Sequence, residues 1–180
     1  MSAARQVPQP DPSRLTPFAG HAVVVGVEPG QPELVAVTAA ELAAGLGARV
    51  YFAYADPGRL PERELPDGRV EHVDLNPDLF DDDTWRGREA ALVAAIEAAL
   101  AGREVAWEFR YLAGRADRAL THLARAVDAA VIVVGAGRRG GGGRLQQLLQ
   151  WPVGVHLANH QHRPVLVVPL AVVDWKTSLG

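Results

Sequence analysis

Residues 131–149 read VIVVGAGRRGGGGRLQQLL, an apolar run that delivers a glycine series and then a helix-like stretch. Val131 to Val134 suit a strand buried on both faces, because a parallel sheet covered by helices demands continuous apolar, β-branched runs. Gly135, Gly137 and Gly140 then spell G-x-G-x-x-G. That spelling acquires meaning only from its surroundings. A dinucleotide fingerprint opens a βαβ unit and meets an acid about 20 residues on, at the next strand's end. Here the glycines follow the fourth strand pattern of the chain, and the next one, PVLVVP at 164–169, ends without an acid; Asp174 lies beyond it in the tail. No Lys-Ser or Lys-Thr pair follows the glycines, so the P-loop pattern is missing too. Two readings stay open: a flexible turn, or a cradle of backbone N–H groups for phosphate at the carboxyl end of a parallel strand.

Outward from this stretch, strand and helix patterns alternate. Ala22 to Val27, AVVVGV, is a β-branched run, and a helical pattern begins at Pro32 with Leu34, Thr38, Leu42 and Leu46 as its apolar stripe and Gly47 as its stop. Val50 to Tyr54 predicts the second strand. Residues 56–83 are punctuated by Pro57, Gly58, Pro61, Pro66 and Gly68, and read as a surface excursion with a small strand near Val70 to Val73. Asp81, Asp82 and Asp83 lead into TWRGREAALVAAIEAAL, where Leu92, Ile96 and Leu100 share a face; acids at a helix start act as caps and dipole partners rather than as a calcium loop. Val105 to Leu112 predicts strand three, Ala116, Leu120, Leu123 and Val127 mark the next helix, and a helical stretch after the glycines reaches about His160. Five strands alternating with four helices define an α/β domain: a three-layer open sheet of five mainly parallel strands. Residues 1–20, with Pro8, Pro10, Pro12 and Pro17, read as a flexible arm, 21–170 as the domain and 171–180 as a tail.

Composition narrows the function classes. The 180 residues are 48% hydrophobic and 22% charged, with a net charge of −3, which argues against a nucleic-acid binder relying on a basic surface. There is no cysteine, so thiolate metal sites and a Cys nucleophile are excluded. No apolar run has membrane-spanning length and no signal-peptide pattern opens the chain; a cytoplasmic protein is the expectation. Ser2, Ser13 and Ser178 are the only serines, and no G-x-S-x-G elbow exists for a hydrolase. His156 and His160 share a helix face with His162 nearby, yet no carboxylate completes a zinc set, and they read as a polar helix end. Trp85, Trp107, Trp151 and Trp175 read as packing or interface residues.

The order of these pieces resembles the universal stress protein family over roughly residues 20–170. The quoted segments are VVVGV with its helix ending GLGARV, LTHLARAVDAAVIVVGAGRRG, and the close HLANHQHRPVLVVP. The resemblance implies a Rossmann-like fold of the adenine nucleotide alpha hydrolase type. It also implies a homodimer paired through the last strand, Val165–Val168, and an adenine nucleotide as candidate ligand. In the family's nucleotide-binding members the loop reads G, two residues, G, nine residues, then G and Ser or Thr. Carried over, Gly137 and Gly140, with Gly135, supply the first pair, but Gln150–Trp151 or Trp151–Pro152 stands where Gly-Ser belongs. Proline lacks both hydroxyl and N–H, and an indole fills space that a close backbone approach needs. The family's Asp after the first strand is Glu28 here, followed by Pro29, and Ala55 falls where the family lines its adenine pocket. Arg138, Arg139 and Arg144 surround the glycines, either as phosphate-holding charges or as solubilising ones.

The expectation is therefore a binding or regulatory module in stress adaptation with a degraded nucleotide loop, no required cofactor and no catalysis. The alternative is an ATP-binding member using a rearranged loop, with Glu28 and Ala55 near base and sugar and Gly135, Gly137, Gly140 and Arg144 near the phosphates.

Overall fold

The computed structural model describes residues 11–75, 84–136 and 153–170. Its core is a five-stranded parallel sheet built from β1 (Val23–Gly26), β2 (Val50–Asp56), β5 (Trp107–Ala113), β6 (Val131–Gly135) and β7 (Val165–Val168), in the order β5-β2-β1-β6-β7. Every pairing is parallel, as the β-branched runs require. Alternation along each strand sends side chains to two cores. Val23, Val25, Phe52, Val131 and Val133 meet α1 (Leu34–Leu46) and α2 (Thr84–Ala99) on one face. Val24, Ala53, Leu112, Ile132 and Val134 meet α3 (Ala116–Ala126) and α4 (Val153–His160) on the other. Three layers result.

Helix α1 occupies the expected span, and Gly47 ends it with φ 62°, the left-handed turn that a side chain resists. Its buried face differs from the expected stripe. Leu34 is 49% exposed and Thr38 half-buried, whereas Val35, Ala36, Ala39, Ala40 and Ala43 form the contact. Helical spacing fits both sets. Alanine wins because it lets the helix lie close on a sheet already thick with valine and phenylalanine, leaving Leu42 and Leu46 to pack at the margin. In α2 and α3 the expected positions Leu92, Ile96, Leu120 and Leu123 are buried, and Leu100 packs just beyond the end of α2.

The excursion after β2 is a hairpin rather than one small strand. Strand β3 (Arg59–Glu64) pairs antiparallel with β4 (Val70–Asp74), joining Arg59 to Asp74, Leu60 to Val73 and Pro61 to His72. Pro61 hid β3, since proline cannot donate to a ladder; the register shifts between Pro61 and Arg63 to accommodate it. The hairpin turn rests on α3. Gly68 has φ 80°, and a Cβ there would lie 2.5 Å from Leu123 Cδ1, so glycine is required twice over. Of the expected arm, residues 11–20 hold a single 3-10 turn, Pro12–Arg14, capped by the Asp11 carboxylate, which accepts from Ser13 N at 2.8 Å. Residues 1–10 and 171–180 lie outside the described residues.

Candidate functional site

Strand order reverses between β1 and β6, which are neighbours in register Gly26 to Val134. Ligands of open α/β sheets sit at such a reversal, beyond the carboxyl ends of the strands. The carboxyl ends of the two strands, followed by Val27 on one side and by Ala136 on the other, flank this crevice, and the glycine loop from residue 137 on lies outside the described residues. Glu28 stands exposed in the first loop, Gly135 closes β6, and Ala55 lies half-buried near the end of β2, one strand away. Of the remaining candidates, Gly137, Gly140 and Arg144 lie outside the described residues, as do Arg138, Arg139, Trp151 and Pro152. The side chains of His156 and His160 are likewise outside them. Among the described residues no group of three or more His, Cys, Asp or Glu is placed to hold a metal ion.

The residue that dominates the crevice is one that the sequence did not advertise. Gln31 N–H donates to the Glu28 carbonyl at 3.1 Å, closing a tight turn, and the Gln31 Oε1 accepts from Glu28 N–H at 3.2 Å. Its Nε2 reaches across to β6: a Cβ on Gly135 would lie 2.6 Å from it. The same Cβ would meet two methyls of Leu170 at 3.0 and 3.1 Å. The ends of the Gln31 and Leu170 side chains thus lie against Gly135. The Glu28 N–H is engaged by Gln31. Gln31 sits between Gly30 and Pro32 without periodic neighbours, and its three-residue spacing from Glu28 was the one available signal.

Beside the crevice, the end of β2 carries a buried polar cluster. Asp56 is 6% exposed and accepts three hydrogen bonds: from Gly58 N–H at 2.9 Å, Tyr111 O–H at 2.6 Å and the Arg88 guanidinium at 2.5 Å. Burial pushes the Tyr111 hydroxyl well above the usual tyrosine range, and its bond to Asp56 pushes the same way. Tyr54 packs edge-on to Tyr111 at 5.4 Å, and burial with the neighbouring Asp56 raises its pKa also. From the hairpin, Arg59 donates to His72 Nδ1 and to Asp74 Oδ1, both at 2.7 Å. Burial, then the Arg59 charge, holds His72 below the ordinary imidazole range, so the ring stays neutral and can accept. Trp85 closes the cluster with ring contacts to His72 at 4.9 Å and Tyr111 at 5.4 Å. These interactions latch hairpin and α2 to the sheet. The groups are mutually satisfied rather than aimed at a vacant space, so the cluster is architecture. Trp107, edge-on to Phe52 at 5.9 Å, is likewise a packing residue, as expected.

The model of the universal stress protein family matches residues 21–169. No curated sequence matches. Among solved structures, a universal stress protein in complex with cAMP is 25% identical, covering 85% of this chain and 99% of its own, with a TM-score of 0.55. The universal stress protein of Archaeoglobus fulgidus in complex with dAMP is 20% identical over 82% and 97%, with a TM-score of 0.55. That of Lactobacillus plantarum is 15% identical over 83% and 98%, with a TM-score of 0.56. The latter two are likenesses of fold. The family match, the strand order and the crevice between β1 and β6 agree: this chain belongs to the universal stress protein family.

Proposed function

We propose that this chain is a binding or regulatory module of stress adaptation whose switch-point crevice holds no adenine nucleotide. The observation that carries the reading is the placement of the Gln31 and Leu170 side chains against Gly135, with Glu28 N–H engaged internally. The loss of the Gly-Ser pair to Trp151 and Pro152 points the same way. No catalysis is proposed, and the setting proposed is cytoplasmic; among the described residues no helix is long and apolar enough to cross a membrane. The second reading, a nucleotide receptor with a rearranged loop, draws on the relative that binds cAMP and on Glu28, Ala55 and Gly135 surrounding one end of the sheet. Calorimetry and thermal denaturation with millimolar AMP, ATP and cAMP decide between them. A ligand at 100 times its Kd would add about 2.7 kcal/mol, a rise of several degrees in a domain of this size. No rise is expected. A rise that disappears when Gly137 and Gly140 are replaced would establish the receptor instead.

Self-association is proposed through β7. It is the sheet's edge, paired with β6 alone among the described strands, and it exposes Leu166 (38%) and Val167 (48%). An apolar edge left bare invites aggregation, and pairing with a second copy removes it. Val167→Lys is expected to convert a dimer into a monomer in sedimentation equilibrium; an unchanged dimer places the interface elsewhere.

A further inference from the structure

The opposite helical layer carries a charge distribution that the crevice does not explain. Arg115, Arg118, His122 and Arg125 recur along α3 and its N-cap at spacings of three and four residues, one stripe about 15 Å long at 1.5 Å per residue. They line a groove of about 430 Å³ with Thr121 and Asp117, floored by Leu157 of α4. Arg115 neutralises Asp117, donating from Nε at 3.1 Å and from its terminal nitrogen at 2.8 Å. His122 Nδ1 lies 2.9 Å from Glu64 Oε2 of the hairpin, while its Nε2 is buried with no hydrogen-bond partner among the described residues. Arg118 and Arg125 are exposed in the groove, with no carboxylate partner among the described residues. Past the C-terminal end of α3 lie Arg14 and Arg163, the latter 3.7 Å from the Asp128 carboxylate. His162 is held below the ordinary imidazole range by burial first and then by Arg163, Arg14 and Arg125. A chain of net charge −3 thus presents two arginines without a carboxylate partner among the described residues, Arg118 and Arg125, along one concave strip.

We infer that the groove along α3 is a binding site for a linear polyphosphate anion. Guanidinium groups are suited to phosphate oxygens, giving charge-assisted bonds at fixed geometry, and their repetition along an open strip matches a ligand whose charge also repeats. A single phosphate would occupy one arginine and leave the others unmatched. Single-stranded nucleic acid fits less well, because its bases need stacking platforms and, among the described residues, no aromatic ring other than the His122 imidazole lines the groove.

The site shares no residue with the β1–β6 crevice, so it stands or falls independently of the nucleotide question. Binding of long-chain inorganic polyphosphate, tripolyphosphate, orthophosphate and an oligothymidylate of matched charge is to be measured by calorimetry at low salt. Long-chain polyphosphate is expected to bind most tightly, tripolyphosphate more weakly and orthophosphate not at all, with affinity falling as salt rises. Arg118→Glu and Arg125→Glu, both at exposed positions, are each expected to weaken long-chain binding at least about tenfold, the loss of one charge-assisted contact. Thermal denaturation of each variant verifies that the fold is kept. Arg103→Glu, which makes the same charge change beside Glu41 on the other face of the sheet, is expected to leave binding within about twofold. Failure of polyphosphate to bind, equal weakening by Arg103→Glu, or oligothymidylate binding as tightly as polyphosphate would each overturn the assignment.

Discussion

Replacing Phe52 with alanine is expected to lower the unfolding free energy by about 3–5 kcal/mol, toward the upper end of that range. Phe52 is fully buried in the middle of β2, in register with Val25 on β1 and Phe109 on β5, and edge-on to Trp107. The cost of such a truncation depends on whether neighbours can move into the space it leaves. Here they cannot easily do so. The helix covering this face contacts the sheet mainly through Ala36, Ala39, Ala40 and Ala43, which have no rotamers to swing inward, and the flanking valines are β-branched and stiff. For a domain of this size the loss corresponds to a fall of roughly 10 °C in Tm, read by thermal denaturation. Phe52→Leu, keeping most of the volume, is expected to cost less than half as much. A Phe52→Ala loss below about 1.5 kcal/mol, the range of tolerated repacking, would mean that the alanine face does not hold the helix at its distance.

The same alanine face shows where sequence reasoning is strong and where it stops. Strands β1, β2, β6 and β7 declare themselves because a sheet covered on both sides requires unbroken apolar runs, whereas β5, at the sheet's edge, shows itself by partial alternation and aromatic residues around Glu108 and Arg110. The strand order did not follow from the sequence, which left the adjacency of β1 and β6 as a condition; the sheet supplies it. Which stripe of α1 is buried does not follow. Leu34–Leu42 and Val35–Ala43 obey the same period, and the choice depends on the volume already claimed by the opposing strand. Strand β3 was obscured by Pro61 and by charged residues that face solvent or, as with Arg59, find partners within the hairpin. Glu28 and Ala55 were legible through the family resemblance and Gly135 through the glycine series, and the structure places them at or near the ends of β1, β2 and β6. Gln31 was not, since its role rests on a contact across β1 and β6 that no local pattern encodes. Asp56 is the sharpest case. In sequence it is an acid before Pro57, indistinguishable from a turn residue, and nothing there indicates that Tyr111, 55 positions away, will point a hydroxyl at it.

That pairing makes Asp56→Ala the other substitution with a large expected effect, a loss of about 2–4 kcal/mol. The carboxylate accepts from Gly58 N–H, Tyr111 O–H and Arg88, and it is itself 6% exposed. Truncation leaves the Tyr111 hydroxyl buried without its acceptor and frees the turn that starts the hairpin. Arg88 limits the damage: its side chain is 39% exposed, so water can replace much of what it loses, and its share of the ion pair is worth little by comparison. Most of the loss therefore comes from the orphaned hydroxyl and the loosened turn, and little from the broken salt bridge. Two further variants separate these contributions. Tyr111→Phe removes the hydroxyl that would be orphaned, so Asp56→Ala should cost distinctly less in that background, with a coupling of about 1 kcal/mol or more. Arg88→Gln, by contrast, should cost less than about 1 kcal/mol alone, as partly exposed ion pairs do. Additive losses for Asp56 and Tyr111 would show that the two are not bonded, and the hairpin would then be held to β5 by its aromatic contacts alone.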